Sequence, residues 1–155
     1  MSLIHQVARN RKIALVDKVP SGWKIIRRVS DVEFVCVPSE KTGVDYRGVL
    51  KGGRALFVEC KSCSSGTFDL KGIQANQLSE LDAADDLGAA CVLAIVWDPP
   101  TTKAREALSA KGIPAGVVLV AVPWPVVREL RKNDAKSIPS DVLVEHAGRW
   151  EMYAK

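Results

Sequence analysis

The chain has 155 residues, 47% hydrophobic and 26% charged, with a formal net charge of +4. That is an ordinary composition for a globular protein, long enough for one domain over residues 1–155 with its own core. No apolar run reaches the roughly 18 residues a bilayer span needs and nothing resembles a secretory leader, so a cytoplasmic protein without a membrane is expected. The mild positive excess favours a polyanionic partner.

Residues Ser2 to Lys12 form a predicted short basic helix with Ile4 and Val7 inward, followed by the short apolar piece Ile13–Val16. Pro20-Ser21-Gly22 is turn chemistry. Trp23–Val29 reads as a strand carrying Lys24, Arg27 and Arg28, and Val32–Val37 alternates as a second one. The polar loop Pro38–Gly43 delivers the chain to Asp45. Lys51-Gly52-Gly53-Arg54 reads as a hairpin turn, and Arg54–Lys61 as the strand after it. Ser62–Gly66 is a small-residue loop, and Phe68–Lys71 a short extended piece. Ile73–Leu87 has helical spacing, with Leu78, Leu81 and Ala84 on one face and Gly88 as its stop. Cys91–Trp97 is continuously apolar, as in a strand buried on both faces. After Pro99-Pro100, Thr102–Lys111 reads as a helix closed by Gly112. Val117–Val122 is another apolar strand, and Pro125–Lys132 a helix opened by proline. Ser140 is a candidate N-cap for Asp141–His146, and Arg149–Tyr153 a last short strand. Strands, a helix, two buried strands and small helices together predict an α/β fold.

Four cysteines, Cys36, Cys60, Cys63 and Cys91, read as reduced thiols. Cys60-x-x-Cys63 lacks the second half of a zinc site, and Cys60 falls within a strand rather than at the helix start a redox pair uses.

The chemistry concentrates between Asp45 and Lys61. Alternation along the strand puts Ala55, Phe57, Glu59 and Lys61 on one face and Leu56, Val58 and Cys60 on the other. The hairpin can bring Asp45 beside Glu59. Mg²⁺ prefers oxygen ligands and commonly takes one or two carboxylates, leaving room for water and phosphate. Asp45, Glu59 and the backbone carbonyl of Cys60 could supply such a set. Lys61 could orient a water or neutralise charge on phosphate, and Gln77 could aim an amide at either. An exposed Glu/Lys pair beside an unrelated aspartate is the plain alternative, and for Gln77 a solvated side chain is.

These residues resemble a known family. Asp45 with Glu59-Cys60-Lys61 is similar to the PD-(D/E)xK motif of the restriction-endonuclease-like nucleases, and the chain more specifically resembles RecU-type Holliday-junction resolvases. Four segments carry the likeness: Val44–Val49, Phe57–Ser62, Phe68–Leu78 and Lys136–Pro139. The resemblance implies a restriction-endonuclease-like mixed β-sheet flanked by helices, and a homodimer making paired nicks in a four-way DNA junction with Mg²⁺, for which Mn²⁺ substitutes. It implies Asp45 and Glu59 as metal ligands, Lys61 as helper of the nucleophile and Gln77 as support. Phosphate contacts would come from Lys24, Arg27, Arg28, Lys41, Thr42, Arg47, Lys51, Arg54 and Lys71, with Glu40 near enough to assist. The chain departs from the pattern at Val29–Gly43, short where cellular members carry a longer stalk entering the junction, and in having no acidic residue before Asp17. Such a compact form suits a phage-encoded resolvase, and the resemblance implies the cytoplasm of a bacterial or phage-infected cell. Cleavage of other branched or duplex DNA, and junction binding without cleavage, are the competing functions.

Overall fold

A computed structural model describes residues 9–20, 22–38, 43–114 and 116–148. Residues 2–8 of the predicted Ser2–Lys12 helix, the predicted strand over 149–153, Ser21, Glu40, Lys41 and Thr42 lie outside the described residues; Arg9 and Asn10 are helical and Arg11 and Lys12 form a turn. In chain order the strands are β1 (Ala14–Lys18), β2 (Trp23–Arg28), β3 (Phe34–Pro38), β4 (Tyr46–Leu50), β5 (Ala55–Cys63), β6 (Phe68–Asp69), β7 (Ala90–Trp97), β8 (Val118–Pro123) and β9 (Ser137–Ile138). The helices are α1 (Ala75–Asp86), α2 (Thr102–Ala110), α3 (Trp124–Lys132) and α4 (Ser140–His146), with a 3-10 turn at Leu70–Gly72 before α1.

Five strands form the main sheet in the order β1-β4-β5-β7-β8. Only β5 and β7 run parallel; β1–β4, β4–β5 and β7–β8 are antiparallel. The sheet is therefore mixed and flanked by helices, the α/β architecture expected. A parallel pair needs a long crossover, and β6, the 3-10 turn and α1 provide it. The β4–β5 connection is the tight turn read from the sequence, with Gly52 at φ 92° and Gly53 at φ 89°, a conformation that other residues adopt only at a cost.

The alternation of β5 serves two packing layers. Leu56 and Val58 join Leu50, Val92, Ala94 and Ala121 on one face of the sheet, with Ala14, Val16 and Tyr46 packed alongside. Phe57 and Cys63 pack on the other face against the larger core of Leu81, Leu93, Ile95, Leu108 and Trp124. Strand β7 is buried except at Val96, as its unbroken apolar run predicts. Cys60 and Cys63, on opposite faces, cannot bridge, and all four cysteines are free.

Two sets of contacts fix α1 against the sheet. Trp124 Nε1 donates to Asp82 Oδ1 at 2.8 Å, while Arg128 and Arg131 of α3 pair with Asp82, Asp85 and Asp86. At its other end, β9 pairs with β6 and Leu70 N donates to Lys136 O at 3.0 Å. The Lys136–Pro139 motif is thus a tether for the approach to α1.

Two expectations are corrected. Ser140 is not the cap of the last helix but its first residue; Pro139 holds the cap position and no side chain caps it. Phe68–Lys71 is not extended throughout, because Asp69 Oδ1 accepts from Lys71 N at 2.9 Å and winds Leu70–Gly72 into the 3-10 turn. β2 and β3 form a separate two-stranded arm whose residues from Lys24 to Val37 are all exposed, Ile25, Ile26, Val32 and Phe34 included. No helix among the described residues is long and apolar enough to cross a membrane.

At Gly48, in the middle of β4, an added Cβ would overlap the Leu15 carbonyl oxygen of β1. Gly48→Ala should lower stability by about 1–3 kcal/mol in urea unfolding. Gly66, which has open space around its Cβ position, is the control; equal effects from the two alanines would contradict the β1–β4 packing.

Candidate metal and phosphate site

Register decides the centre of the site. Tyr46 faces Val58 across the β4–β5 pair, so Asp45, one residue before β4, comes level with Glu59 and Cys60. Asp45 Oδ2 accepts a hydrogen bond from Cys60 N at 2.8 Å. A strand residue points its N–H and C=O to the same edge, so the Cys60 carbonyl also faces the Asp45 side. Asp45 is itself held from behind, its carbonyl accepting from Val19 N at 2.8 Å. The three oxygen donors named from the sequence thus share one corner of the sheet.

Glu59 is only 1% exposed. Its Oε1 meets Lys61 Nζ at 2.7 Å, whereas Oε2 is buried and has no hydrogen-bond partner. Burial raises the carboxyl above its usual range. Lys61 pulls it back, the Asp45 carboxylate pushes it up again, and the Asp45 backbone N–H, as the smallest influence, lowers it. A buried carboxylate with an unused oxygen, raised further by the charge of half-buried Asp45, forms an environment that a cation relieves. Among the described residues no three His, Cys, Asp or Glu side chains group as metal ligands. Two carboxylates and a carbonyl, completed by water and phosphate, match the sparse protein ligation that Mg²⁺ accepts.

Lys61 Nζ also donates to Gln77 Oε1 at 3.0 Å. Gln77 lies in the first turn of α1, where the same Oε1 accepts from Gln74 N at 2.9 Å. Its amide oxygen is therefore turned on Lys61 and on its own helix start, not on open solvent. With two of its three N–H donors directed at Glu59 and Gln77, the Lys61 ammonium retains one for a ligand. The Cys60 thiol is pushed up to about 11, by desolvation first and then by the Asp45 and Glu59 charges, so it is a neutral bystander.

The basic residues named for DNA separate on inspection. Arg47 pairs with Glu80 and lies over the Phe57 ring, 5.7 Å from its centroid. Arg54 donates to Gly88 O at 2.9 Å and Ala89 O at 3.0 Å, closing the end of α1. Both side chains are thus engaged within the fold. At about 3.3 Å per strand residue, Lys51 at the hairpin lies about 20 Å from Asp45. Lys71 is exposed on the 3-10 turn leading to α1. On the β2–β3 arm, Arg28 pairs with Asp31, while Lys24 and Arg27 are exposed. Two residues went unseen in the sequence. Lys18, at the end of β1, is close enough to act on Cys60 electrostatically. Glu80 accepts from Val44 N at 3.0 Å, next to Asp45.

The family model described as RecU, recombination protein U, matches residues 3–102, well over half of the chain. The matched span contains Asp45, Glu59, Lys61, Gln77 and Glu80 and stops after β7, leaving the Lys136–Pro139 tether outside it. No curated protein matches the chain.

The raised Glu59 carboxyl makes metal-free stability depend on pH in a defined direction. Above its ordinary value of 4.5 the unfolded chain has released a proton that the folded protein still holds. Stability therefore falls as pH rises from there through the raised value, and the loss is complete above it. Glu59→Gln should flatten that part of the profile in urea midpoints taken from about pH 4 to 8. Identical profiles would contradict the buried, partly unpartnered carboxylate.

Proposed function

This chain belongs to the RecU family of recombination proteins, and on that premise we propose that it is an Mg²⁺-dependent endonuclease resolving four-way DNA junctions by paired nicks. The observation that carries the reading is Glu59: one oxygen on Lys61 at 2.7 Å, the other buried without a partner and beside Asp45. A structural salt bridge would leave no reason to strand that second oxygen, since an unsatisfied buried acceptor costs about 1–3 kcal/mol.

Asp45, Glu59 and the Cys60 carbonyl would hold Mg²⁺ or Mn²⁺. When bound, the ion supplies Lewis acidity towards a phosphoryl oxygen and lowers the pKa of a bound water. The residues do the rest. Lys61, fixed by Glu59 and Gln77, presents its remaining N–H to the attacked phosphate or the attacking water. Gln77 keeps that ammonium aimed by accepting from it while its backbone is locked at the helix start. Lys71 and Lys18 would meet the flanking phosphates.

Paired nicks need two such sites. A homodimer supplies them with the two-fold symmetry of a junction, and the exposed apolar residues of the β2–β3 arm offer a surface for association. The arm also stands, in chain order, where the family's stalk would be. We place the protein in the cytoplasm of a bacterial or phage-infected cell, where recombining DNA is found.

The test is cleavage of a labelled immobile junction beside linear duplex and a flap, with Mg²⁺ or with EDTA. Symmetric nicks in the junction alone, lost in EDTA, are expected. Asp45→Asn should reduce cleavage by roughly 10²–10³-fold and leave junction binding in gel shift intact. Cutting of all three substrates at similar rates would keep a nuclease and remove junction selectivity. Tight binding with no cleavage under any divalent metal would make the protein a junction-binding module.

A further inference from the structure

We propose that Glu80 is a positioning residue for Asp45, fixing the chain that carries this carboxylate so that it meets Glu59 at the right separation to share a cation. The inference rests on the reading of Asp45 and Glu59 as metal ligands, and adds a residue which that reading does not use.

Glu80 lies on α1, one turn after Gln77, so the two side chains share a helix face. From that face Gln77 reaches Lys61 on β5, and Glu80 reaches the approach to β4. Glu80 Oε2 accepts from Val44 N at 3.0 Å. Its Oε1 accepts from Arg47 Nε at 3.0 Å and from Arg47 Nη2. These donors lie on either side of Asp45, one residue before it and two after. The Val44 side chain is fully buried, and Arg47 is steadied by the Phe57 ring opposite it in the β4–β5 register. The Glu80 side chain is only 20% exposed, so its bonds to the loop are partly sheltered from competing water.

Gly43 adds an independent observation. A Cβ at this position would overlap Glu80 Oε2. The chain before Asp45 therefore passes so close to the Glu80 carboxylate that any side chain at this position would have to displace it. An ordinary surface ion pair between Glu80 and Arg47 would require neither the Val44 bond nor that clearance. Helix α1 thus braces both halves of the cation site, and a shift of the Asp45 segment by a fraction of an ångström would loosen the ligand set without unfolding the sheet.

The test is Mn²⁺ binding by titration calorimetry, on protein without DNA, so that no cleavage is needed. Glu80→Ala should weaken Mn²⁺ affinity by about tenfold, the scale at which residues behind metal ligands act. Glu80→Gln, which keeps an oxygen to accept from Val44 N, should stay within about threefold of wild type. Should Glu80→Ala fail to fold, Gly43→Ala displaces the same carboxylate and should weaken Mn²⁺ in the same way. Wild-type affinity in Glu80→Ala or Gly43→Ala would overturn the proposal while the metal site stood. Glu80→Gln as weak as Glu80→Ala would also overturn it, by assigning the effect to the Arg47 charge pair. A wild-type protein that binds no Mn²⁺ would remove the metal-site reading and this inference with it.

Discussion

Keeping Glu59 out of water is the constraint on which the site depends. A buried carboxylate is tolerated only when its charge is met, and here one cation, Lys61, meets one of its two oxygens. Everything nearby follows from completing that partial match. Lys61 has to be held, so Gln77 accepts from it at 3.0 Å. Gln77 has to be placed, so α1 begins at Ala75 with the Gln77 amide closing on Gln74 N. The second oxygen is left without a partner, and the like charge of Asp45 raises the carboxyl further. The folded chain has thus placed two acids where a proton or a cation makes them compatible.

The helix that answers this constraint is itself held from outside the matched family span. Arg128 and Arg131 of α3 grip its acidic face, and Lys136–Ile138 ties down the turn before it through β6 and Leu70. The described residues of the C-terminal third therefore include none of the named site residues but set the position of α1, and through α1 the geometry of both strands. Long-range support of this kind lets a site be built on rigid elements rather than on loops.

The sequence made the strand pair legible because its signals are local. Two glycines at the hairpin and strict alternation along β5 suffice to put Glu59 and Lys61 on one face with Asp45 nearby. The unbroken apolar run of β7 announced its burial in the same way. What stayed hidden depends on partners far along the chain. Glu80 with Val44, Arg54 with the end of α1 and Lys61 with Gln77 join residues whose relation exists only once the crossover has been made. Arg47 and Arg54 looked like phosphate contacts because basic side chains near a carboxylate pair carry no local mark of an internal partner. The β2–β3 arm misled differently: its alternation is that of a half-buried strand, yet Ile25, Ile26 and Phe34 are exposed.

The most direct test of the account is a crystal structure grown with Mn²⁺ and its anomalous difference map. A peak in contact with Asp45, the unpartnered Oε2 of Glu59 and the Cys60 carbonyl is expected, with Lys61 still bridging Glu59 and Gln77. A Glu59 carboxylate unchanged from its pairing with Lys61, with Mn²⁺ bound elsewhere or nowhere, would contradict it.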